Sequence, residues 1–375
     1  MLDVSVVVPT YNEGENLPLI IPRICAVLKN ADLSGEVIIV DDDSPDGTGQ
    51  VARALAEEYP VRTLVRTAER GLSSAVLAGF GMSEAAVCVV MDADGSHPIE
   101  KLPDMIRPIL ENKADIAVGS RHVQGGAIGQ WPLHRRIISK TASLMAFGVT
   151  KMTDPTSGFM AIRRSLLDSL ELDPVGWKIV LEIVVKSATD RLVEVPITFN
   201  DRQRGHSKMS LKEQWNYIRH LYRLYRYKTP GFIEFIKFCI VGFSGVCVDM
   251  GVVVALKTLL GLDTRLCAVF GFCVAVSTNY LLNRVWTFQG AGHVPLIRSY
   301  ATFFSVCSIG FLARLGVMHL LIEFTPLDKG HGYMLINLIG IAVATAMNFL
   351  GSKFLAFSPT ELAFKKDASL KSDVP

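Results

Sequence analysis

The chain has 375 residues, half of them hydrophobic, and a formal net charge of only +2. That length allows one large domain or two, and so small a charge excludes nucleic acid as the expected partner. The mean hydropathy of +0.33 is high for a wholly soluble chain.

The hydropathy is unevenly spread. Residues 1 to about 210 alternate apolar runs with polar helical stretches, whereas long apolar segments dominate from Phe232 onward. The cysteines, Cys25, Cys88, Cys239, Cys247, Cys267, Cys273 and Cys307, have no metal-site spacing and lie mostly in apolar segments. They read as small buried hydrophobes and imply no disulfide framework, which fits a reducing compartment for the first domain. The opening stretch MLDVSVVVPTYNEGEN has no basic region and too short an apolar run for a secretory signal. The first domain is therefore expected on the cytoplasmic side.

In chain order, Val4–Val8, Glu36–Val40, Val61–Val65, Val87–Met91 and Ile116–Gly119 are short β-branched apolar runs. Such runs suit strands covered on both faces. Helical patterns lie between them, at Asn16–Lys29, Thr48–Tyr59, Ser73–Ser83 and Pro98–Asn112. The alternation predicts an α/β fold with a mostly parallel sheet, helices on both faces and ligands at the carboxyl ends of the strands. Polar clusters fall at those ends: Pro9–Glu13 after the first strand, Asp41–Ser44 after the second, and Asp92–Asp94 after the fourth. A bare carboxylate at a buried strand end is costly. On an extended chain Asp92 and Asp94 would point the same way, offering two oxygen ligands to a hard divalent cation, Mg²⁺ or Mn²⁺. His97, just before Pro98, reads as a residue fixing this loop.

The segment Trp131–Ser143 mixes Trp131 and isoleucines with Arg135, Arg136 and Lys140, a pattern for a helix where lipid tail meets headgroup. Further on, Trp215, Ile218, Tyr222 and Tyr225 recur at helical spacing among Lys212, Arg219, Arg223 and Arg226. That pattern suits a second helix lying in the lipid interface, here within a linker at 211–231. Four apolar segments follow, Phe238–Leu260, Leu266–Phe288, Ser299–Phe324 and Tyr333–Phe357, each long enough to cross a hydrocarbon core of about 30 Å. Basic residues before the first span and in the tail put both on the cytoplasmic side. The spans also repeat: Asn279, Arg284 and Phe288 recur as Asn348, Lys353 and Phe357, 69 positions on, suggesting a duplicated two-helix hairpin. Asp249 and Arg314 fall mid-span, and an ion pair between them is expected.

Five stretches carry a resemblance: Val6–Glu13 (VVVPTYNE), Ile39–Gly47 (IVDDDSPDG), Gly71–Ala75 (GLSSA), Met91–Asp94 (MDAD) and Gly119–Arg121 (GSR). Together, and in this order, they resemble glycosyltransferase family 2, and most closely the polyprenol-phosphate (dolichol-phosphate) mannose synthases. The likeness covers residues 1–210; residues 232–358 resemble the GtrA-like four-helix membrane module fused to some of those synthases. It implies a GT-A catalytic domain at 1–210, the interface linker at 211–231, the membrane module at 232–358 and a disordered cytoplasmic tail at 359–375.

The resemblance further implies GDP-mannose as donor and a polyprenyl (dolichyl) phosphate as acceptor. By motif, Pro9, Tyr11, Glu13, Val40 and Asp42 would contact the nucleoside. Asp92, Ala93 and Asp94 would hold metal and diphosphate, and Arg121, Arg202 and Lys208 would complete the donor site. Arg135 and Ser139 would grip the acceptor phosphate, and Asp154–Gly158 would form a loop beside the sugar. Some members place Gln where this chain has Ser96, a weaker metal ligand, which leaves a coordination position to water. The alternatives carried forward are a UDP-glucose-dependent glucosyltransferase of the same design, and a lipid-sugar flippase or scaffold whose first domain only binds.

Overall fold

The computed structural model describes residues 2–129, 133–173, 175–199, 211–289, 294–325 and 332–358. The chain divides into two units between Thr229 and Pro230. In the first, strands form at all five apolar runs: β1 (Val4–Thr10), β2 (Gly35–Asp41), β3 (Val61–Val65), β4 (Val87–Val90) and β5 (Ile116–Ser120). The helices between them are α1 (Leu17–Asn30), α2 (Thr48–Leu55), α3 (Leu72–Met82) and α4 (Leu102–Leu110), the last preceded by a 3-10 turn at Ile99–Lys101. The chain continues through β6 (Ala127–Ile128), α5 (Leu133–Ala146), β7 (Met160–Arg163), α6 (Arg164–Leu167), α7 (Ile179–Ser187), β8 (Leu192–Pro196), β9 (Thr198–Phe199) and α8 (Leu211–Lys228).

The main sheet has the order β3-β2-β1-β4-β7-β5-β8, and β6 pairs with β9 apart from it. Every pairing in the main sheet is parallel except those of β7, which runs antiparallel between β4 and β5. Strand alternation sorts the core into two layers. Val4, Val6 and Val8 pack with Ile21, Ile24 and Met105 of α1 and α4 on one face. Val7, Ile38 and Val40 pack with Val76 and Phe80 of α3 and with α7 on the other. All seven positions of β1 are buried, which is why this strand reads as a continuous apolar run.

Helix α8 completes the second layer. Leu221 and Leu224 are buried against it, and the hydroxyls of Tyr217 and Tyr225 donate to the carbonyls of Ala142 (2.8 Å) and Met145 (2.9 Å) on α5. Of the four residues expected on a lipid-facing stripe, Trp215, Ile218 and Tyr222 are exposed, but Tyr225 packs on the domain against Gly148. The helix thus has two apolar faces about a quarter turn apart, and spacing alone merges them into one.

In the second unit, four helices are long and apolar enough to cross a membrane: α9 (Pro230–Leu260), α10 (Thr264–Leu282), α11 (Leu296–Phe324) and α12 (Gly332–Gly351). Both α10 and α12 run on into one turn of π-helix, at Asn283–Thr287 and Ser352–Ala356. These turns sit 69 positions apart, as the duplication requires. The first helices of the two hairpins repeat at a different offset. Phe238, Val241 and Gly245 of α9, all buried, match Phe303, Val306 and Gly310 of α11, 65 positions on.

Packing obeys the same symmetry. Gly245 receives the side chain of Asn279, and Gly310 that of Asn348. At the centre Phe288 stacks on Phe357, ring centroids 4.9 Å apart. Around that pair, Phe238–Phe349 (5.7 Å) is mirrored by Tyr280–Phe303 (5.8 Å).

The expected pairing of Asp249 with Arg314 does not form. The two residues occupy equivalent places, one in each hairpin, and each is used within its own: Arg314 donates to Asn337 Oδ1 at 2.7 Å, and Asp249 packs against Gly271.

Candidate active site

The polar clusters singled out in the sequence fall at the carboxyl ends of β1, β2 and β4, which are neighbours in the sheet. Turn geometry there differs from the extended chain expected for the Asp-x-Asp pair. β4 ends at Val90, Ala93 and Asp94 form a turn, and Gly95 follows with φ +73°, a conformation that favours glycine. Asp92 and Asp94 are therefore not successive same-side residues of one strand. Asp94 is 5 % exposed and its Oδ1 accepts the Ser96 amide at 3.0 Å, whereas Asp92 turns towards Gly158, where a Cβ would stand 3.7 Å from Oδ2. Ser96 is fully buried, and its hydroxyl has no partner among the described residues. Two carboxylates and an unsatisfied hydroxyl make an all-oxygen donor set, which fits Mg²⁺ or Mn²⁺.

His97 does fix this loop. Its Nδ1 accepts the Asp92 amide at 3.0 Å, so the proton of the neutral ring sits on Nε2. The ring stacks on the buried Phe159 at 5.1 Å.

Around β1 and β2, Pro9 and Val40 are buried and Tyr11 is exposed, with Arg70 over its ring. Glu13 accepts from the Asn16 carboxamide. Asp46, unremarked in the sequence, ties the first two loops together by accepting from the Gly14 amide (3.1 Å) and the Thr48 hydroxyl (2.6 Å). Burial raises its pKa, but these donors outweigh that and hold the carboxyl below its usual range.

Asp42 carries a structural load that motif matching did not reveal. Its Oδ1 accepts from Arg66 Nε at 2.8 Å and its Oδ2 from the Gly71 amide at 2.7 Å. This fixes the loop leading into α3, where Gly71 has φ +145°. Arg66 was missed, although a buried strand-end aspartate should itself prompt a search for a cation.

Arg121 is also held. Its Nε and Nη2 make a two-pronged contact with Asp154, both distances 2.6 Å, and Nη2 reaches Thr156 Oγ1 at 2.6 Å. Asp154 is fully buried; burial raises its pKa, but the Arg121 bonds and charge more than reverse this and keep it low. Thr156, Ser157 and Gly158 of the loop after it line a cavity.

This cavity, of about 470 Å³, brings some of these parts together. Asp92, His97, Arg121, Thr156, Lys178, Arg135 and Ser139 line it along with the apolar Ile137, Ile138, Met145, Val175, Trp177 and Ile218, whereas Pro9, Tyr11, Glu13, Val40, Asp42 and Asp94 do not line it. Arg135 and Ser139, one turn apart on α5, meet the strand-end residues here, and the Ser139 hydroxyl has no partner among the described residues. Lys178 was not singled out from sequence, where a lone lysine in GWKIV gives no signal. The residue is half-buried, and its ammonium donates to the Thr156 carbonyl at 2.8 Å. Burial first, then Arg121, push its pKa down to about 8, against opposing pulls from Asp154 and Asp92. Arg202 and Lys208 lie outside the described residues, as does Trp131.

The profile for glycosyl transferase family 2 matches residues 5–171, and that for the GtrA/DPMS transmembrane domain matches 237–357. A dolichol-phosphate mannosyltransferase of Pyrococcus furiosus is 38% identical over 95% of this chain and 100% of its own length. The Saccharomyces cerevisiae enzyme of the same name is 37% identical over 66% of this chain and 97% of its own. A polyprenol monophosphomannose synthase of Mycolicibacterium smegmatis is 41% identical over 55% and 80%. With the mostly parallel GT-A sheet and four membrane helices already in place, the chain belongs to the dolichol-phosphate mannosyltransferases of glycosyl transferase family 2, as an integral-membrane enzyme carrying a GtrA/DPMS domain.

Proposed function

We propose that the enzyme transfers mannose from GDP-mannose to a polyprenyl (dolichyl) phosphate on the cytoplasmic face of the membrane. The observation that carries this reading is the mixed lining of the cavity, in which the charged Asp92, Arg121 and Arg135 share one space with the apolar Ile137, Ile138 and Ile218. A phosphate on an isoprenoid tail needs both kinds of wall. The exposed Leu133, Leu144 and Phe147 around α5 and the exposed Trp215 and Tyr222 of α8 suit a lipid surface on the two helices that line this cavity. The relatives' names support the sugar and the acceptor class.

The chemistry follows from charge. A phosphomonoester has a second pKa of about 6, so at neutral pH the acceptor is already an anionic nucleophile. No side chain has to remove a proton, which accords with a cavity whose histidine is locked into the loop. A phosphate oxygen attacks the anomeric carbon as the bond to the diphosphate breaks, the electron pair leaves with GDP, and configuration inverts to the β-linked product. A Mg²⁺ or Mn²⁺ held by Asp92, Asp94 and Ser96 would neutralise charge on the departing diphosphate. Arg121, oriented by Asp154, stabilises the donor, and Arg135 with Ser139 holds the acceptor phosphate. On this reading Pro9, Tyr11, Glu13, Val40 and Asp42 surround the nucleoside, and Arg202 and Lys208 close over the donor.

The test is an assay of the purified full-length protein with Mn²⁺, a polyprenyl phosphate, and labelled GDP-mannose or UDP-glucose in parallel. Lipid-linked mannose is expected. Lipid-linked glucose instead would replace the donor, and transfer of neither sugar would favour the binding or flippase alternative.

A further inference from the structure

We propose that Lys178 anchors the acceptor's phosphate, acting with Arg135 and Ser139 as a third element of that subsite. The inference rests on the lipid-phosphate acceptor reading above. Its physical basis is a cation with hydrogen-bond donors to spare. Among the described residues no carboxylate lies within ion-pair distance of Lys178, and its ammonium has one hydrogen bond, to the Thr156 carbonyl at 2.8 Å. An ammonium has three donors, so two remain for the cavity it lines.

Other charged residues of the site are committed elsewhere. Arg121 is engaged by Asp154 and Thr156, and Asp42 by Arg66 and Gly71. Burying an unpaired ammonium is expensive, and the cost is offset when an anion arrives. Burial and then the neighbouring Arg121 lower the lysine's pKa to about 8, and a bound anion would oppose both effects. The cavity selects which anion: Lys178 lines it together with Arg135 and Ser139 of α5 and with the apolar Ile137, Val175 and Trp177. A phosphomonoester dianion fits this place. After transfer the group is a phosphodiester with one negative charge, so the same lysine holds product less tightly than substrate and favours release.

The test compares wild type with Lys178→Met, Lys178→Gln and Lys178→Arg in full-length protein. Removing a charge-assisted hydrogen bond should raise the KM for polyprenyl phosphate about tenfold or more, with the KM for donor within about twofold, and Lys178→Arg should recover most of the loss. Equilibrium binding of farnesyl phosphate should weaken by a similar factor in the Met and Gln variants, and binding of farnesol should not change. Because the half-buried lysine has no ion-pair partner among the described residues, Lys178→Met should unfold at the same or a higher temperature; a merely structural residue would give a lower one. A donor KM that rises while the acceptor KM stays put would overturn the proposal, as would unchanged farnesyl phosphate binding. Should wild type bind farnesyl phosphate through Lys178 yet transfer no sugar to polyprenyl phosphate, the transferase reading fails and the anchoring role stands.

Discussion

In the first unit Asp42 is held by Arg66 and Gly71 and Asp154 by Arg121, so these buried carboxylates sit among cations and N–H donors. In the membrane unit Asn279, Asn348 and Asp249 each face a glycine of the neighbouring helix, Gly245, Gly310 and Gly271, and each has a side-chain oxygen without a hydrogen-bond partner among the described residues. Polar groups in the first unit form connected networks that aim side chains at a cavity. These three glycine-facing groups of the second unit instead sit where helices approach closely, as small residues allow in membrane packing. Damage to the first should therefore appear as lost turnover or lost rigidity of the site, and damage to the second as lost assembly with the chemistry intact.

The largest expected effect tests the first half of that contrast. Asp94→Ala should lower transfer about a thousandfold or more, since metal-assisted charge stabilisation supplies several kcal/mol; substantial residual turnover would sink the metal assignment. Next, Asp154→Asn leaves the Arg121 guanidinium buried without its counter-ion. Breaking such a pair costs about 3–5 kcal/mol, readable as a lower denaturant midpoint of the first unit alongside weakened donor binding. An unchanged midpoint would show that the pair does not support the site.

The membrane unit supplies a smaller and more local effect. Gly245→Ala and Gly310→Ala each place a Cβ on an asparagine, at 2.3 and 2.0 Å from its nearest atom, and overpacking of this kind costs about 1–3 kcal/mol. Thermal stability of the detergent-solubilised protein should fall for both by similar amounts, because the hairpins are equivalent. Gly251→Ala and Gly316→Ala, also equivalent and with nothing within 4 Å, should be silent. Unequal effects at Gly245 and Gly310 would break the symmetry argument.

The smallest effect is in pH. Asp154 and Asp46 have depressed folded-state values, so their contributions are complete above the unfolded carboxylate pKa of about 4. They are lost as pH falls through the lower folded values. Stability of the first unit should thus be insensitive to these groups from pH 7 to 5 and decline below about 4, and Asp154→Asn should flatten that decline.

Much of this was legible in the chain. Continuous β-branched runs announced five strands because both faces of the sheet are covered, and four long apolar segments announced four spans because hydrocarbon thickness sets their length. β7 escaped notice: Met160–Arg163 is four residues long, too short for periodicity to register. Antiparallel placement between β4 and β5 is a tertiary choice that local sequence does not carry. The repeat was visible at its second helices through Asn279 and Asn348. At the first helices a four-residue difference in offset hid it, until shared packing of Phe238 with Phe303 and Gly245 with Gly310 made it plain.

At the site, the sequence by itself determined the chemistry available: carboxylates at strand ends, basic residues on an amphipathic helix, and no residue pattern demanding a general base. Only the tertiary structure decided how those groups are deployed. It turned Asp94 away from the strand, gave Asp42 and Arg121 their partners, separated Asp249 from Arg314, and set Lys178 in the cavity wall without a counter-ion among the described residues. The reason is physical. Residue type and periodicity report which surfaces must be buried, but the cost of burying a charge depends on which groups the fold brings within hydrogen-bond reach.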